Sequence, residues 1–200
     1  MNTLRDKITS CDYCQLGRSR TRVVPGEGNP RADIMFIGEA PGRQEELEGR
    51  PFVGAAGRLL NHLLEDINLK REEVFITNIV KCRPPQNRDP LPEEIESCRK
   101  WLDEQIKSVK PKLIVLLGRH ALNRFLPYVK ISKVHGQVFK EKLPGIGMFL
   151  FFPVYHPAAA LYNKNLQKTL EEDVKKIPAL LQSIEKGSTA NLFDNGSRSL

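Results

Sequence analysis

Four short runs of the chain are almost continuously apolar, and they predict buried β-strands. Each run is rich in Ile, Val, Leu and Phe, which is typical of strands that are buried on both faces of a parallel sheet. The runs are residues 33–38, 74–79, 113–118 and 149–156.

Segments with helical periodicity lie between and after these runs. Residues 54–67 place their leucines on one face, and residues 92–107 begin with Pro and two Glu, which favour a first helical turn. Residues 119–126 and 166–184 are the other two helical segments. The alternation predicts an α/β fold, a three-layer α/β/α sandwich with a central four-stranded parallel sheet. We expect residues 1–185 to form a single domain and the polar residues 186–200 to lie outside its core.

Polar residues stand where these strands end. In open parallel sheets, ligands bind at the carboxyl ends of the strands. The residues at those ends are 39–42, Asn78, 118–119 and 156–157. Core packing does not require a carboxylate, a carboxamide and an imidazole at one rim, so we interpret the rim as a functional site.

Composition and charge narrow the class of protein. The chain has 200 residues, of which 40% are hydrophobic, a composition that excludes a disordered or collagen-like protein. It carries a formal net charge of +7 and a pI near 9.3, which fits either a nucleic-acid partner or a slightly basic enzyme. No long apolar window and no leader are apparent, so we expect a cytoplasmic monomer.

The four cysteines form a pattern typical of metal ligands. Cys11 and Cys14 are a C-x2-C pair, and Cys82 and Cys98 bring the number of thiols to four. Thiols in a reducing cytoplasm more often bind metals than form disulfides. The spacing fits either zinc or an iron–sulfur cluster, and zinc is the more frequent. Alternatively, Cys82 and Cys98 are buried packing residues.

Four longer motifs resemble those of the family 4 uracil-DNA glycosylases, which are iron–sulfur enzymes. They are GEAPG at 38–42, GRPFVGAAG at 49–57, TNIVKCRPPQNRDP at 77–90 and YHPAAAL at 155–161, and the resemblance extends over residues 11–181. It implies that the cysteines hold a [4Fe-4S] cluster, with zinc as the alternative. It also implies excision of uracil from DNA in base excision repair, by hydrolysis of the N-glycosidic bond after base flipping, which leaves an abasic site. We expect a protein with this activity to be associated with the nucleoid.

The resemblance assigns a base-reading role to several residues. Phe52, in a loop between Pro and Gly, is expected to stack on the flipped base. The carboxamide of Asn78 can accept a hydrogen bond from uracil N3–H and donate one to O4, a pattern that cytosine reverses. The backbone N–H groups around Gly38 and Ala40 are expected to face the base. Glu45 and Glu46 lie in the loop that follows, and one of them is a candidate to exclude thymine at C5.

Two side chains are candidates for catalysis. Glu39 can position or activate the attacking water, and its charge favours a cationic sugar. His156 can donate a hydrogen bond to uracil O2 as the leaving base becomes an anion. For the remaining histidines, His62, His120 and His135, we expect structural roles.

Contacts with DNA are expected around this site. Leu161 is placed to fill the space that a flipped base leaves. The candidates for contact with backbone phosphates are Arg83, Asn87, Arg88 and Arg119, each of which could equally belong to a solvated basic surface. In the tail, residues 189–193 (TANLF) loosely resemble peptides that bind a sliding clamp, although a tail without a partner is the simpler interpretation.

Two other functions compete with uracil excision. A non-catalytic, metal-stapled nucleic-acid-binding module would need the cysteines and the basic surface but not Glu39, Asn78 and His156. A zinc base deaminase would need H-x-E and P-C-x-x-C motifs, and the sequence contains neither.

Overall fold

A six-stranded sheet forms the centre of the molecule in a computed structural model that describes residues 2–187. Its strand order is β1-β3-β2-β4-β6-β5. The strands are β1 (Glu27–Gly28), β2 (Ile34–Gly38), β3 (Phe75–Asn78), β4 (Leu113–Leu117), β5 (Phe139–Leu143) and β6 (Gly147–Val154). The inner four run parallel, as the sequence predicts, whereas β1 and β5 are antiparallel edge strands.

The prediction of four strands was therefore two strands short. β5 (FKEKL) alternates between partly buried and exposed positions and carries lysines at the exposed ones. Such polar alternation protects the edge of a sheet, and it lacks the continuous apolar run by which the inner strands were found. β1 has only two residues, too few to form a pattern.

Helices cover both faces of the sheet. They are α1 (Asn2–Thr9), α2 (Gln15–Ser19), α3 (Arg43–Glu48), α4 (Ala55–Asp66), α5 (Pro92–Val109), α6 (Gly118–Phe125), α7 (Ile131–Val134), α8 (Pro157–Ala160), α9 (Lys164–Val174) and α10 (Ile177–Glu185). The helices predicted at 54–67, 92–107 and 119–126 correspond to α4, α5 and α6. The single helix predicted at 166–184 was wrong, because the chain forms α9 and α10 instead. Pro178 lies in the first turn of α10, where its missing N–H is tolerated.

Alternate residues of each inner strand face different helical layers. In β2, Met35 and Ile37 belong to a buried cluster with residues of α5 and α6. Ile34 and Phe36 belong to a second cluster with residues of α4, α9 and α10. This division gives the expected α/β/α sandwich.

The parallel strands end at one edge of the sheet. Gly38 pairs with Asn78 in the register of β2 and β3, so the segments after these strands start side by side. Within residues 2–187, no helix combines the length and the apolar character needed to cross a membrane.

Candidate active site and metal centre

A cavity of about 270 Å³ lies at the carboxyl ends of the parallel strands. It is lined by Glu39, Ala40, Pro41, Gly42, Glu45, Phe52, Ala56, Asn78, Pro84, Asn87, Arg88, His156 and Ala158. Segments that are far apart in the sequence therefore converge there, as the strand-end argument predicts.

Phe52 and Asn78 meet over Gly38, the last residue of β2. A Cβ atom on Gly38 would lie 2.6 Å from Phe52 Cζ and 2.5 Å from Asn78 Oδ1. Any larger residue would push the ring or the carboxamide away. The first glycine of GEAPG is thus required for a close approach of side chains.

The carboxamide of Asn78 has an unused acceptor. Asn78 ends β3 and is only 2% exposed, and its Oδ1 has no hydrogen-bond partner in the protein. Among the described residues only one other buried side-chain atom, Arg124 Nε, shares this condition. An unpaired buried acceptor costs about 1–3 kcal/mol, and here a ligand in the cavity would relieve it.

The imidazole of His156 is held in one tautomer. Its Nδ1 accepts a hydrogen bond of 3.1 Å from the N–H of Ala158, so the proton of the neutral ring is on Nε2. Burial, assisted by the neighbouring His120, lowers the pKa of His156 to about 4. The ring lies 5.6 Å from the Phe52 ring, centroid to centroid. The site thus presents a neutral N–H donor beside an aromatic face.

Glu45 supports the loop that carries Phe52. Its carboxylate accepts hydrogen bonds from the N–H groups of Gly42, Val53 and Gly54 at 2.9–3.1 Å. Phe52 has a φ of +50°, an unfavourable conformation for a residue with a side chain. The carboxylate fixes this strained loop from within α3, so Glu45 is a structural support rather than part of a loop.

Glu39 lies in a cluster of charged groups. Its Oε2 is 3.6 Å from His120 Nε2, which is 3.3 Å from Asp89 Oδ2. Arg119 donates to Asp89 at 2.8 Å, and its Nε lies 3.0 Å from His120 Nε2. Burial raises the pKa of Glu39, while the charge of His120 opposes that shift. His120, for which the sequence predicts only a structural role, is therefore a neighbour of the candidate catalytic carboxylate.

A second cavity adjoins the first. It is lined by Gly118, Arg119, His120 and Tyr155 among others, and it shares Glu39, His156 and Ala158 with the first cavity. The predicted strand-end residues thus divide between two neighbouring cavities, with Glu39 and His156 at their junction.

The candidate phosphate contacts are engaged within the protein. Arg83 donates to Asn87 at 2.7 Å, and Arg88 makes two hydrogen bonds, of 2.9 and 2.6 Å, to the buried carboxylate of Glu94. These pairs shape the loop after β3. Arg119 keeps two-thirds of its side chain exposed.

Leu161 is 38% exposed just after α8, the helix whose Ala158 lines the cavity. Of the remaining histidines, His135 binds the buried carboxylate of Asp173 at 2.7 Å, and His62 lies exposed on α4.

All four cysteines line one small cavity. The described residues contain only one trio of His, Cys, Asp or Glu ligand atoms within 4.8 Å of one another, and that trio is Glu39, Asp89 and His120. No three of the four sulfur atoms therefore lie within 4.8 Å of one another, whereas Zn–S bonds of about 2.3 Å would bring the thiolates of one zinc ion to within about 4 Å. This spacing suits a larger inorganic group.

Donors surround the sulfur atoms. Trp101 Nε1 donates to Cys11 Sγ at 3.2 Å, and Arg20 Nη1 to Cys82 Sγ at 3.6 Å. Burial raises the pKa of Cys82 to about 12 and that of Cys98 to about 11. A metal that replaced these protons would turn the thiols into thiolates, and the donors would then stabilise the negative charge. The four residues therefore fit a thiolate-bound metal centre.

Part of the chain lies outside the described residues. It includes 188–200, and with them the TANLF segment and most of the predicted polar tail.

Comparison with known proteins points to one superfamily. Residues 25–180 match the model of the uracil DNA glycosylase superfamily. The chain is 52% identical to the type-4 uracil-DNA glycosylase of Sulfurisphaera tokodaii, over 90% of this chain and 84% of that one. It is 40% identical to the type-4 enzyme of Thermotoga maritima, over 91% and 95%. Identity to the type-5 enzyme of Thermus thermophilus is 35%, over 63% and 72%.

Proposed function

The chain belongs to the uracil-DNA glycosylase superfamily. On that premise we propose that the residues lining its strand-end cavity excise uracil from DNA in base excision repair. The reaction hydrolyses the N-glycosidic bond of a flipped nucleotide and leaves an abasic site. One observation carries the proposal: an aromatic ring, an unpaired buried acceptor and a neutral imidazole donor, from Phe52, Asn78 and His156, line the same cavity. We also take residues 1–185 as the single catalytic domain.

Recognition of the base rests on Phe52 and Asn78. The flipped pyrimidine stacks on the Phe52 ring, which the Gly38 backbone and the Glu45 carboxylate hold in place. Asn78 Oδ1 accepts from uracil N3–H, and its Nδ2 donates to O4. Cytosine offers an acceptor and a donor in the reverse order, so both groups of Asn78 would lose their partners.

Departure of the base rests on His156. The bond between C1′ and N1 breaks with its electron pair going to uracil, and negative charge develops on O2. The Nε2–H of His156 donates to that oxygen, and a donor of this kind contributes roughly 3–4 kcal/mol in a buried site. Its pKa of about 4 keeps the ring neutral, so no proton has to be transferred to the leaving base.

Attack of water rests on Glu39. The sugar becomes cationic as the bond breaks, and the Glu39 carboxylate stabilises that charge. Water forms the new bond to C1′, and its proton passes to the carboxylate and then to solvent. The position of Glu39 at the junction of the two cavities supports this role.

DNA is the partner that this chemistry requires. Leu161 enters the space that the flipped nucleotide leaves, and the exposed Arg119 meets a backbone phosphate. Arg83, Asn87 and Arg88 present the loop after β3 to the DNA. The exposed part of the molecule near the cavity thus holds the strand while the base is inside.

For the metal centre we infer a [4Fe-4S] cluster held by Cys11, Cys14, Cys82 and Cys98, in preference to zinc. The spacing of the sulfur atoms and the N–H donors around them support a cluster. Such a cluster supplies a rigid cross-link between the N-terminal segment and the segment that follows β3. The cysteines thereby fix the loop next to Asn78.

The test is alkali cleavage of a single-uracil oligonucleotide after incubation with the protein. We expect strand scission with the wild type and at least a 100-fold slower reaction with Asn78→Asp, because a carboxylate cannot donate to O4 and repels the leaving anion. Asn165→Asp, on the exposed surface of α9, is the matched control and should react like the wild type. Absence of scission by the wild type, or equal rates for Asn78→Asp and the wild type, would contradict the proposal.

A further inference from the structure

Lys81 is an unusual buried cation. It is 1% exposed and is the only buried lysine of the described residues. Its Nζ donates to the hydroxyl of Thr77 at 2.7 Å and to the main-chain carbonyl of Asn78 at 2.6 Å. Both partners are neutral, and no described acidic side chain forms an ion pair with Lys81. A buried ammonium with only neutral partners is costly, so a nearby negative charge is to be expected.

The nearest source of negative charge is the metal centre. Lys81 lines the cysteine cavity, its main-chain N–H bonds to Cys98, and it directly precedes Cys82. Four thiolates around a metal centre would supply the missing counter-charge. The main chain of Lys81 thus contacts these ligands, while its side chain reaches back along β3 to the residue that reads the base.

We propose that Lys81 is a positioning residue that links the metal centre to base recognition. Its ammonium balances the charge of the thiolates on one side and fixes the main chain of Asn78 on the other. The inference rests on the proposed function, because it assigns to Lys81 a part in placing the uracil-reading carboxamide.

The consequence for recognition follows from the position of the hydrogen bond. The Asn78 carbonyl is attached to the same Cα atom as the side chain whose Oδ1 reads the base. Loss of the Lys81 bond frees the end of β3, where the chain leaves the sheet. Because Asn78 discriminates by the placement of two atoms, a small displacement weakens binding of uracil more than binding of DNA in general.

Two variants separate the two roles of Lys81. Lys81→Met removes both the charge and the donor, whereas Lys81→Gln keeps a neutral donor that can still reach towards the Asn78 carbonyl. Lys107→Met is the matched control, since Lys107 lies exposed on α5 and pairs with Glu104. Circular dichroism of each purified protein verifies that it is folded.

The first readout is affinity for an oligonucleotide with one 2′-fluoro-2′-deoxyuridine, which resists cleavage, compared with the same strand without uracil. We expect the ratio of these affinities to fall about tenfold in Lys81→Met, a loss typical of a hydrogen bond from a charged group. It should stay within about twofold of wild type in Lys81→Gln and Lys107→Met. The second readout is the rate at which a chelator removes metal, which should rise in both Lys81 variants and not in Lys107→Met.

The outcomes distinguish this inference from the proposed function. If the wild type binds both oligonucleotides equally, the proposed function fails. If the wild type prefers uracil and Lys81→Met retains both its preference and its metal, the assignment of Lys81 is wrong. If neither Lys81 variant releases metal faster than Lys107→Met, the counter-charge role is wrong. If Lys81→Met does not fold, the rate at which a chelator removes metal from Lys81→Gln tests the counter-charge role instead.

Discussion

The Nδ1 atom of His156 accepts a hydrogen bond from the main-chain N–H of Ala158, 3.1 Å away at the start of α8. The contact is local, between residues two apart, and it decides a chemical property of the site. With Nδ1 occupied as an acceptor, the neutral ring must carry its proton on Nε2. That tautomer is the one that can donate to an oxygen on a leaving base.

Replacement of His156 should therefore slow the chemical step rather than weaken DNA binding. For His156→Ala we expect the single-turnover rate of uracil excision to fall about 10²- to 10³-fold, as for loss of one oxyanion donor. Affinity for the uracil-containing strand should change little. His62→Ala, at an exposed histidine of α4, is the control and should keep the wild-type rate. A fall in affinity without a fall in rate would remove His156 from catalysis.

The low pKa of His156 also predicts how stability depends on pH. The folded-state pKa of about 4 lies below the usual value of 6.5, so the unfolded chain takes up the proton first as the pH falls. The stabilisation from the neutral ring is thus complete above about pH 6.5 and is lost progressively towards pH 4. Urea midpoints measured between these limits should fall more steeply for the wild type than for His156→Gln. Parallel curves would show that the ring titrates normally.

Glu45 should be needed for substrate binding although we assign it no contact with the reacting atoms. In Glu45→Ala the side chain no longer accepts from the N–H groups of Gly42, Val53 and Gly54. The strained Phe52 loop should loosen, and binding of a non-cleavable uracil strand should weaken by about tenfold or more. Glu46→Ala, at the adjacent residue of α3, is the matched control, since Glu46 bonds instead to Thr21 and Arg83. Equal losses in the two variants would contradict a specific role for Glu45.

The parts of the fold that sequence could predict are those in which local pattern decides the structure. The apolar runs of the inner strands are too apolar for the surface and too short for ordinary helices, which favours a buried sheet, and their ends place Gly38, Asn78 and His156 at one rim. The prediction of one helix over 166–184 failed because its apolar period continues across the break at residues 175–176, which Pro178 follows in the first turn of α10. β5 was missed because edge strands are built from polar alternation.

The parts of the site that sequence could not predict depend on contacts between distant segments. Nothing local distinguishes His120 from a structural histidine, and only the fold brings it within 3.6 Å of Glu39. In the sequence, nothing distinguishes Lys81 from any other basic residue next to a cysteine. Glu45 had a usable signal, since a Glu three residues after Gly42 is the pattern of a helix-capping residue, and it indeed accepts from the Gly42 N–H.

The metal centre gives a prediction that does not depend on enzyme assays. Protein purified without oxygen should be brown, with broad absorbance near about 400 nm and about four iron atoms per chain, because thiolate-bound iron clusters have this spectrum and composition. Cys98→Ala should lose both the colour and the iron, since a single missing ligand opens the centre. A colourless protein with one zinc ion per chain would show that zinc is the occupant.

The charged cluster around Glu39 predicts opposite shifts in the pH dependence of excision for two neighbouring variants. Glu39 must be ionised to stabilise the sugar cation, and burial raises its pKa, so the single-turnover rate should fall as the pH drops through that pKa. The charge of His120 lowers the pKa of Glu39 and that of Asp89 raises it. His120→Asn should therefore move the acidic limb of the rate profile to higher pH, and Asp89→Asn should move it to lower pH. His62→Asn should leave the limb in place. Rate profiles that shift in the same direction for His120→Asn and Asp89→Asn would show that Glu39 is not the group whose ionisation limits the reaction.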